Sequence, residues 1–368
     1  VSTALSAEQS DLRQTVGDLL DARSPEPAVR RAIDSELGYD PSLWGELASM
    51  GLLGLCIPEE HGGTGAGAAE LAVVAEQMGR ALMCGPYLST AILTPHLLLA
   101  LDNPAECADV LPAIARGEMI TAVAFAETGS ARPPEHPSTI AEQTGSDWSI
   151  TGEKAYVLDA ALARRIYVQA ESASGPAIFA VDAGAPGLTV SPSTTVDATR
   201  RQATVTLRDT PGRLVGPGTA LAAALDRAGV ALLAEQAGGA LHAAQMAADY
   251  ARTRYQFGRA IGSFQAIKHL CVDMLLEAQS ALSAARHVAA AFDAGEADRL
   301  ADLALAQAYC SDAFVSVAAA NIQAHGGIGF TWEHPAHLYL RRARTDAQIF
   351  GDPAWHRERY VRIREELS

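Results

Sequence analysis

The sequence predicts an α+β chain in three segments: N-terminal helices (1–118), a middle antiparallel β segment (119–215) and a C-terminal four-helix bundle (219–368). Two changes of apolar spacing predict it. Apolar residues recur at helical intervals in the first segment and give way to short runs of strand character. They then return as long Ala-, Leu-, Gln- and Met-rich stretches. Gly, Pro, Ser and Asp punctuate the middle runs, as a small sandwich or barrel requires.

In order, Ser6-Ala-Glu-Gln9 offers an N-cap with Gln three positions on, ahead of Leu12, Val16, Leu19 and Leu20. Leu43, Leu47, Leu52 and Leu53 mark a second helical face. The Gly-rich stretch 57–65 breaks it, and an amphipathic helix follows through Leu71 to Met83. The β-like runs are 120–125, 148–150, 165–170, 178–181, 188–190 and 203–207, with a Pro-rich surface loop at 131–137. Helices are then expected at 219–254, 262–292, 297–325 and 333–349, with Gly238-Gly239 allowing a close crossing.

Composition narrows the function classes. A 49% hydrophobic, 19% charged chain of 368 residues reads as well folded. A formal charge of −15 argues against nucleic-acid binding. The five cysteines are scattered without a CxxC pair, so reduced thiols in a cytoplasm are expected. The opening residues lack a basic and apolar leader, and no apolar run reads as a membrane span. The histidines show no metal-ligand spacing with carboxylates or cysteines, so no metal site is expected.

The most informative stretch is 252–269. It supplies a cation at Arg254, a flat ring at Phe257, a reversal at Gly258 and Gly262, and an amide at Gln265. Such a set can hold a dinucleotide, with guanidinium on pyrophosphate, ring against a heterocycle and amide on a polar edge. Further on, Gln323-Ala-His-Gly326-Gly327-Ile-Gly329-Phe330 offers backbone that a ligand can approach closely. Taken singly, Arg254, Phe257 and Gln265 are better explained as an exposed salt-bridging Arg and core or surface residues at a helix–helix turn, whereas Gly326 and Gly327 with Gly329 exceed what an ordinary helix stop requires.

Together the R-x-x-F-G…I-G-x-F-Q and Q-x-x-G-G patterns resemble the acyl-CoA dehydrogenase family, and the resemblance covers essentially the whole chain. It implies that family's fold, FAD as cofactor, α,β-desaturation of an acyl-CoA thioester and electron-transfer flavoprotein as acceptor. In the family, the positions of Arg254, Phe257, Gln265, Gln323, Gly326 and Gly327 contact the adenosine diphosphate half of FAD in a neighbouring subunit. The Phe330-Thr-Trp-Glu-His-Pro335 and Arg341-Arg-Ala-Arg344 stretches also match it.

The resemblance implies losses too. The family's catalytic base is a Glu just before Gly-Thr, and Phe350 stands there, followed by Gly351. In other members the Glu lies on the first bundle helix, where this chain has Ala228 or Gly229. The family's T-E-P-G-x-G-S-D loop is reduced to 126–131, keeping Ser130 but placing Ala126 on a flavin-contacting Thr. The K-x-W-I-T strand has Tyr156 for Trp and Leu158 for the second Thr. Groups a subunit gives to its own isoalloxazine and substrate are therefore degraded, and groups given to a neighbour's FAD are intact. That sorting implies the base-lacking subunit of an α2β2 heterotetramer with a homologous acyl-CoA dehydrogenase subunit, acting on a bulky, steroid-derived or fatty acyl-CoA. A self-sufficient homotetramer using Asp352, or more weakly Glu235, as base is the alternative. So is a flavin oxidase, monooxygenase or desulfinase of the same fold. Asp352 before Pro353 suits helix capping better than catalysis.

Overall fold

The computed structural model describes residues 4–366. The helices are α1 (Ala7–Arg23), α2 (Glu26–Asp34), α3 (Pro41–Ser49), α4 (Ala68–Arg80), α5 (Thr94–Leu101) and α6 (Pro104–Ala115), then α7 (Ala220–Thr253), α8 (Gln265–Ala294), α9 (Arg299–His325), α10 (Ala336–Asp346) and α11 (Pro353–Glu366). The strands are β1 (Thr121–Ala124), β2 (Ile140–Thr144), β3 (Asp147–Leu158), β4 (Arg165–Ser172), β5 (Gly175–Asp182), β6 (Leu188–Pro192) and β7 (Gln202–Pro217), with a two-stranded hairpin of β8 (Tyr255–Gln256) and β9 (Arg259–Ala260). The chain divides into two compact units. One takes in the chain up to Arg31, Ala68–Met83 and the chain from Gly229 onward; the other takes Ala32–Gly67 and Cys84–Ala228.

In the second unit the strands close into a barrel. β4 pairs β5, β5 pairs β7, β7 pairs β3 and β3 pairs β2, all antiparallel. β2 then returns to β4 through the pair Ile140↔Glu171. Both that contact and the pairing of β1 with β4 are parallel, a departure from a purely antiparallel segment. Ile150, Val157, Ile166, Val168, Phe179, Val181, Val205 and Leu207 fill the interior, none more than 2% exposed. Burying each such side chain stabilises the fold by roughly 1.5–3 kcal/mol.

In the first unit the capping box forms as its residues require. Ser6 Oγ accepts the Gln9 N–H (3.1 Å), and Gln9 Oε1 accepts the Ser6 N–H (3.0 Å). α4 meets α7 backbone to backbone at glycines on both helices. A Cβ on Gly79 would overlap the Glu235 carbonyl, and one on Gly238 would overlap the Glu76 carbonyl. Gly239 faces the Phe314 ring of α9 at a distance no side chain would allow.

α9 is the central helix of this unit, packed by α8, α10 and α11. The stretch Arg299–Phe330 is long and apolar enough to cross a membrane by length and composition only, and 61% of its most apolar part is buried inside the protein, as in a core helix. Its alanines are spent on close helix contact. α11 was not anticipated as a separate helix. All five cysteines are free, and only Cys271 is not fully buried.

Candidate functional site

The residues singled out for cofactor contact in the C-terminal segment gather at one end of the helical unit. α7 ends at Thr253, the β8–β9 hairpin turns the chain, and α8 starts at Gln265. His287 Nε2 meets the Asp302 carboxylate (2.9 Å) and the Tyr309 hydroxyl reaches Glu277 (2.8 Å), so α9 runs antiparallel to α8 and ends level with its start. Phe257 (φ +55°) and Gly258 (φ +78°) form the hairpin tip, a pair of left-handed residues as a tight hairpin demands. The Phe257 ring is 90% exposed.

Arg254, Gln265 and Gln323 are exposed, and among the described residues their side chains have no hydrogen bond or ion pair. The intramolecular salt bridge that would explain Arg254 on structural grounds is not made. Gly326 (φ +64°) ends α9, donating its N–H to the Gln323 and Ile322 carbonyls. A Cβ at Gly326 or Gly327 would meet nothing within 4 Å, so this backbone is open to a ligand. At the tip of the hairpin arm, the Arg259 guanidinium covers the Phe264 ring at 4.0 Å.

The two positions that the resemblance assigns to the base are closed in different ways. Phe350 is 4% exposed and left-handed (φ +65°), a conformation costly for a bulky side chain. Beside it, Gly351 (φ +125°) lies under the Trp355 ring and 3.2 Å, measured from an added Cβ, from His356 Nε2. Burial, helped by Arg359, holds the His356 imidazole down at about 3. Asp352 turns the other way: its carboxylate accepts the Trp355 N–H (2.8 Å) and so caps α11. At the alternative seat Ala228 is buried without a carboxylate, and a Cβ on Gly229 would stand 2.7 Å from Gln307 Nε2. Glu235 is engaged in a buried ion pair with Arg342.

In the middle segment Ala126 and Leu158 are buried. Tyr156 sits on a bulge of β3 with φ +57°, its ring half exposed. Ser130 Oγ accepts from the Arg132 backbone N–H (3.2 Å) and Nε (3.3 Å), so its hydroxyl is used locally.

Two polar pairs were missed from the sequence. Lys154 is fully buried, and its Nζ donates to Glu127 (2.7 Å) and to the Phe125 carbonyl (3.3 Å). Glu127 also accepts from the N–H and hydroxyl of Ser138 and of Thr139. Burial pushes the Glu127 carboxyl up, but Lys154 and those donors outweigh it and hold it at about 2. The rarity of lysine, present only at Lys154 and Lys268, was the available signal. For Glu235–Arg342 the signal was a basic residue in the R-D-A-R run at the place of the acidic one.

Two family profiles match: the acyl-CoA dehydrogenase N-terminal domain over residues 6–118 and the C-terminal domain over 216–363. The chain belongs to the acyl-CoA dehydrogenase family. Acyl-CoA dehydrogenases are FAD-dependent oxidoreductases with an N-terminal helical, a middle β and a C-terminal helical domain, and this chain has that architecture. It is 34% identical to acyl-CoA dehydrogenase IpdE2 of Mycobacterium tuberculosis over 361 residues, covering 98% of this chain and 97% of that one. A variant of the Tcur3481–Tcur3483 steroid acyl-CoA dehydrogenase is 30% identical with a TM-score of 0.88, covering 98% of each chain. In the ChsE4–ChsE5 complex of M. tuberculosis one chain is 28% identical with a TM-score of 0.91, covering 100% of this chain and 99% of that one.

Tested against FAD, this acyl-CoA dehydrogenase chain is unevenly equipped. The free guanidinium, two free amides, exposed ring and open glycines suit an adenosine diphosphate moiety. At Ala126 and Leu158 no hydroxyl is available for a flavin ring, and each such lost hydrogen bond is worth about 1 kcal/mol.

Proposed function

We propose that this chain is the base-lacking subunit of an α2β2 acyl-CoA dehydrogenase, whose Arg254, Phe257, Gln265, Gln323, Gly326 and Gly327 grip the nucleotide half of FAD belonging to a homologous, catalytically complete partner. One observation carries the reading. The polar groups at the bundle end are exposed and uncommitted, while both base seats are filled by apolar packing or a neighbouring side chain. Ser130 and Tyr156 are the remaining contacts toward a flavin from this chain's own middle domain. The segments 1–118, 119–215 and 219–368 are the working domains of the subunit.

FAD, when bound, accepts a hydride from the substrate's β-carbon. Arg254 neutralises phosphate charge in a chain that is otherwise strongly acidic, and the Gln265 and Gln323 amides orient it. No carboxylate of this chain is free at either seat to take the α-proton, so that step falls to the partner. The likeness to a steroid enzyme and to a two-protein complex supports a bulky, steroid-derived acyl-CoA as substrate. Electron-transfer flavoprotein is the proposed acceptor and the cytoplasm the proposed compartment.

Purification alone and with a co-expressed homologous subunit tests this. The chain alone should carry little flavin and turn over no acyl-CoA; the complex should be yellow and active. Stoichiometric FAD with turnover in the lone chain would sink the reading. Asp352→Asn keeps a capping side chain while removing the carboxylate, so activity of the complex should survive. Loss of turnover with flavin retained would instead make Asp352 the base. Oxygen consumption on a non-thioester substrate would point to an oxidase or monooxygenase.

A further inference from the structure

The two stretches that form the nucleotide grip are tied together by three rings in close, tilted contact. Tyr250 lies in the last turn of α7, His325 is the last residue of α9, and His334 follows the turn Gly326–Phe330. The Tyr250 and His325 centroids are 4.3 Å apart at an interplanar angle of 31°. Those of His325 and His334 are 4.2 Å apart at 42°. The middle ring is 5% exposed.

Two of the rings, Tyr250 and His325, are wired to the grip through the backbone. The Tyr250 carbonyl accepts the Arg254 N–H (2.8 Å). His325 is adjacent in sequence to Gly326, and its Cβ stands 2.9 Å from where Gly329 would carry one. Thus one face of the His325 ring senses the end that presents Arg254, and its backbone leads into the glycine turn.

The backbone also dictates where the protons sit. The Asn321 carbonyl lies 2.8 Å from His325 Nδ1 and can only accept, so that nitrogen carries the hydrogen. The Ala336 N–H donates to His334 Nδ1 (3.2 Å), so that nitrogen is bare in the neutral ring. A second proton on His334 would have to occupy Nδ1 and would forfeit this bond. A second proton on His325 would place a cation against another imidazole.

We propose that His325 is a positioning residue: clamped between Tyr250 and His334, its neutral ring holds Arg254 and the Gly326–Gly327 turn at the separation a pyrophosphate-bearing ligand requires. This rests on the reading that the bundle end grips FAD. The charged surroundings favour neutrality. Burial lowers both imidazoles, and His325 itself further disfavours charge on His334. Arg30 acts on His334 in the same sense and Glu26 opposes it. Neighbouring His337 faces Arg341, Arg30 and His334, with Glu26 again opposed, and is held down at about 4, chiefly by burial.

The sign follows. Groups with lowered folded values stay neutral at and above the ordinary histidine range, and the stack fails as pH falls through the lowered values.

The test is FAD binding by fluorescence anisotropy, using the full chain alone and with its co-expressed subunit, from about pH 7.5 down to about pH 5. Wild-type affinity should fall on acidification, by up to about tenfold per pH unit once protonation sets in. His325→Phe should keep the neutral-pH affinity and blunt the acid loss. His325→Leu and Tyr250→Leu should each weaken binding about tenfold at neutral pH, with thermal melts reporting folding. Should the first not fold, the second carries the comparison. Arg254→Met separates the two ideas. If it leaves affinity unchanged, or the wild type binds no FAD in either form, the grip reading itself fails. If it weakens binding while His325→Leu and Tyr250→Leu match the wild type, only the stack is overturned.

Discussion

At the scale of single residues, Lys154 shows how a buried charge is made tolerable. Its ammonium is fully enclosed, but Glu127 faces it at 2.7 Å and four further donors surround that carboxylate. Removing one partner of such a pair leaves the other uncompensated. Lys154→Met should cost about 3 kcal/mol, the low end for a buried pair because Glu127 keeps an edge open to water. Denaturant melts at neutral pH measure it. Because the Glu127 carboxyl is depressed to about 2, its contribution is complete above the ordinary 4.5 and is lost as pH falls between those values. Lys154→Met should flatten the acid limb of the stability profile over that window.

At the scale of elements, the crossing of α4 and α7 depends on glycine for space, not for flexibility. Gly79→Ala would drive a methyl into the Glu235 carbonyl and should destabilise by about 3 kcal/mol, because backbone cannot step aside as a side chain can. Gly45, exposed on α3 with nothing within 4 Å, sets the contrast: Gly45→Ala should stabilise by about 0.5–1 kcal/mol. Thermal or denaturant melts of both variants check the opposite signs.

Helices with a strong apolar stripe were legible in the sequence, and so was the switch to strands. α11 was not, because only His356 is buried along it and its apolar residues Trp355, Val361 and Ile363 are scattered among charged ones without a helical period. β2 escaped for the same reason, with Ala141 its single buried residue. The parallel pairing of β1 was invisible because period reports which face is buried, never which neighbour is chosen. At the site, the motifs located Arg254 and Gln323 but could not reveal that their side chains are uncommitted. Nor could spacing disclose that Gln307 guards Gly229 or that Asp352 is spent on a cap.

At the scale of the whole molecule, the helical unit presents apolar side chains to solvent in register. Val272, Leu275 and Leu276 follow one face of α8 with 53%, 48% and 62% exposure, and Leu305 and Tyr309 on neighbouring α9 add 49% and 36%. Isolated exposed apolar residues are ordinary, but a run at helical spacing is the kind of surface that a second chain can cover. A formal charge of −15 works against self-association, so a contact made here would draw its attraction from burial of these side chains. Leu275→Asp combined with Leu276→Asp should shift sedimentation toward smaller species, for the chain alone or with its partner. An unchanged mass would place the contact elsewhere.

The scattered thiols give this surface a built-in reporter. Cys56, Cys84, Cys107 and Cys310 are sealed inside, whereas Cys271 is partly accessible and next in sequence to Val272. A maleimide dye should therefore label one position without any engineered background, although burial raises that thiol and calls for mildly alkaline conditions. Its rate of attachment would read out, in real time, when this helix is capped by a companion.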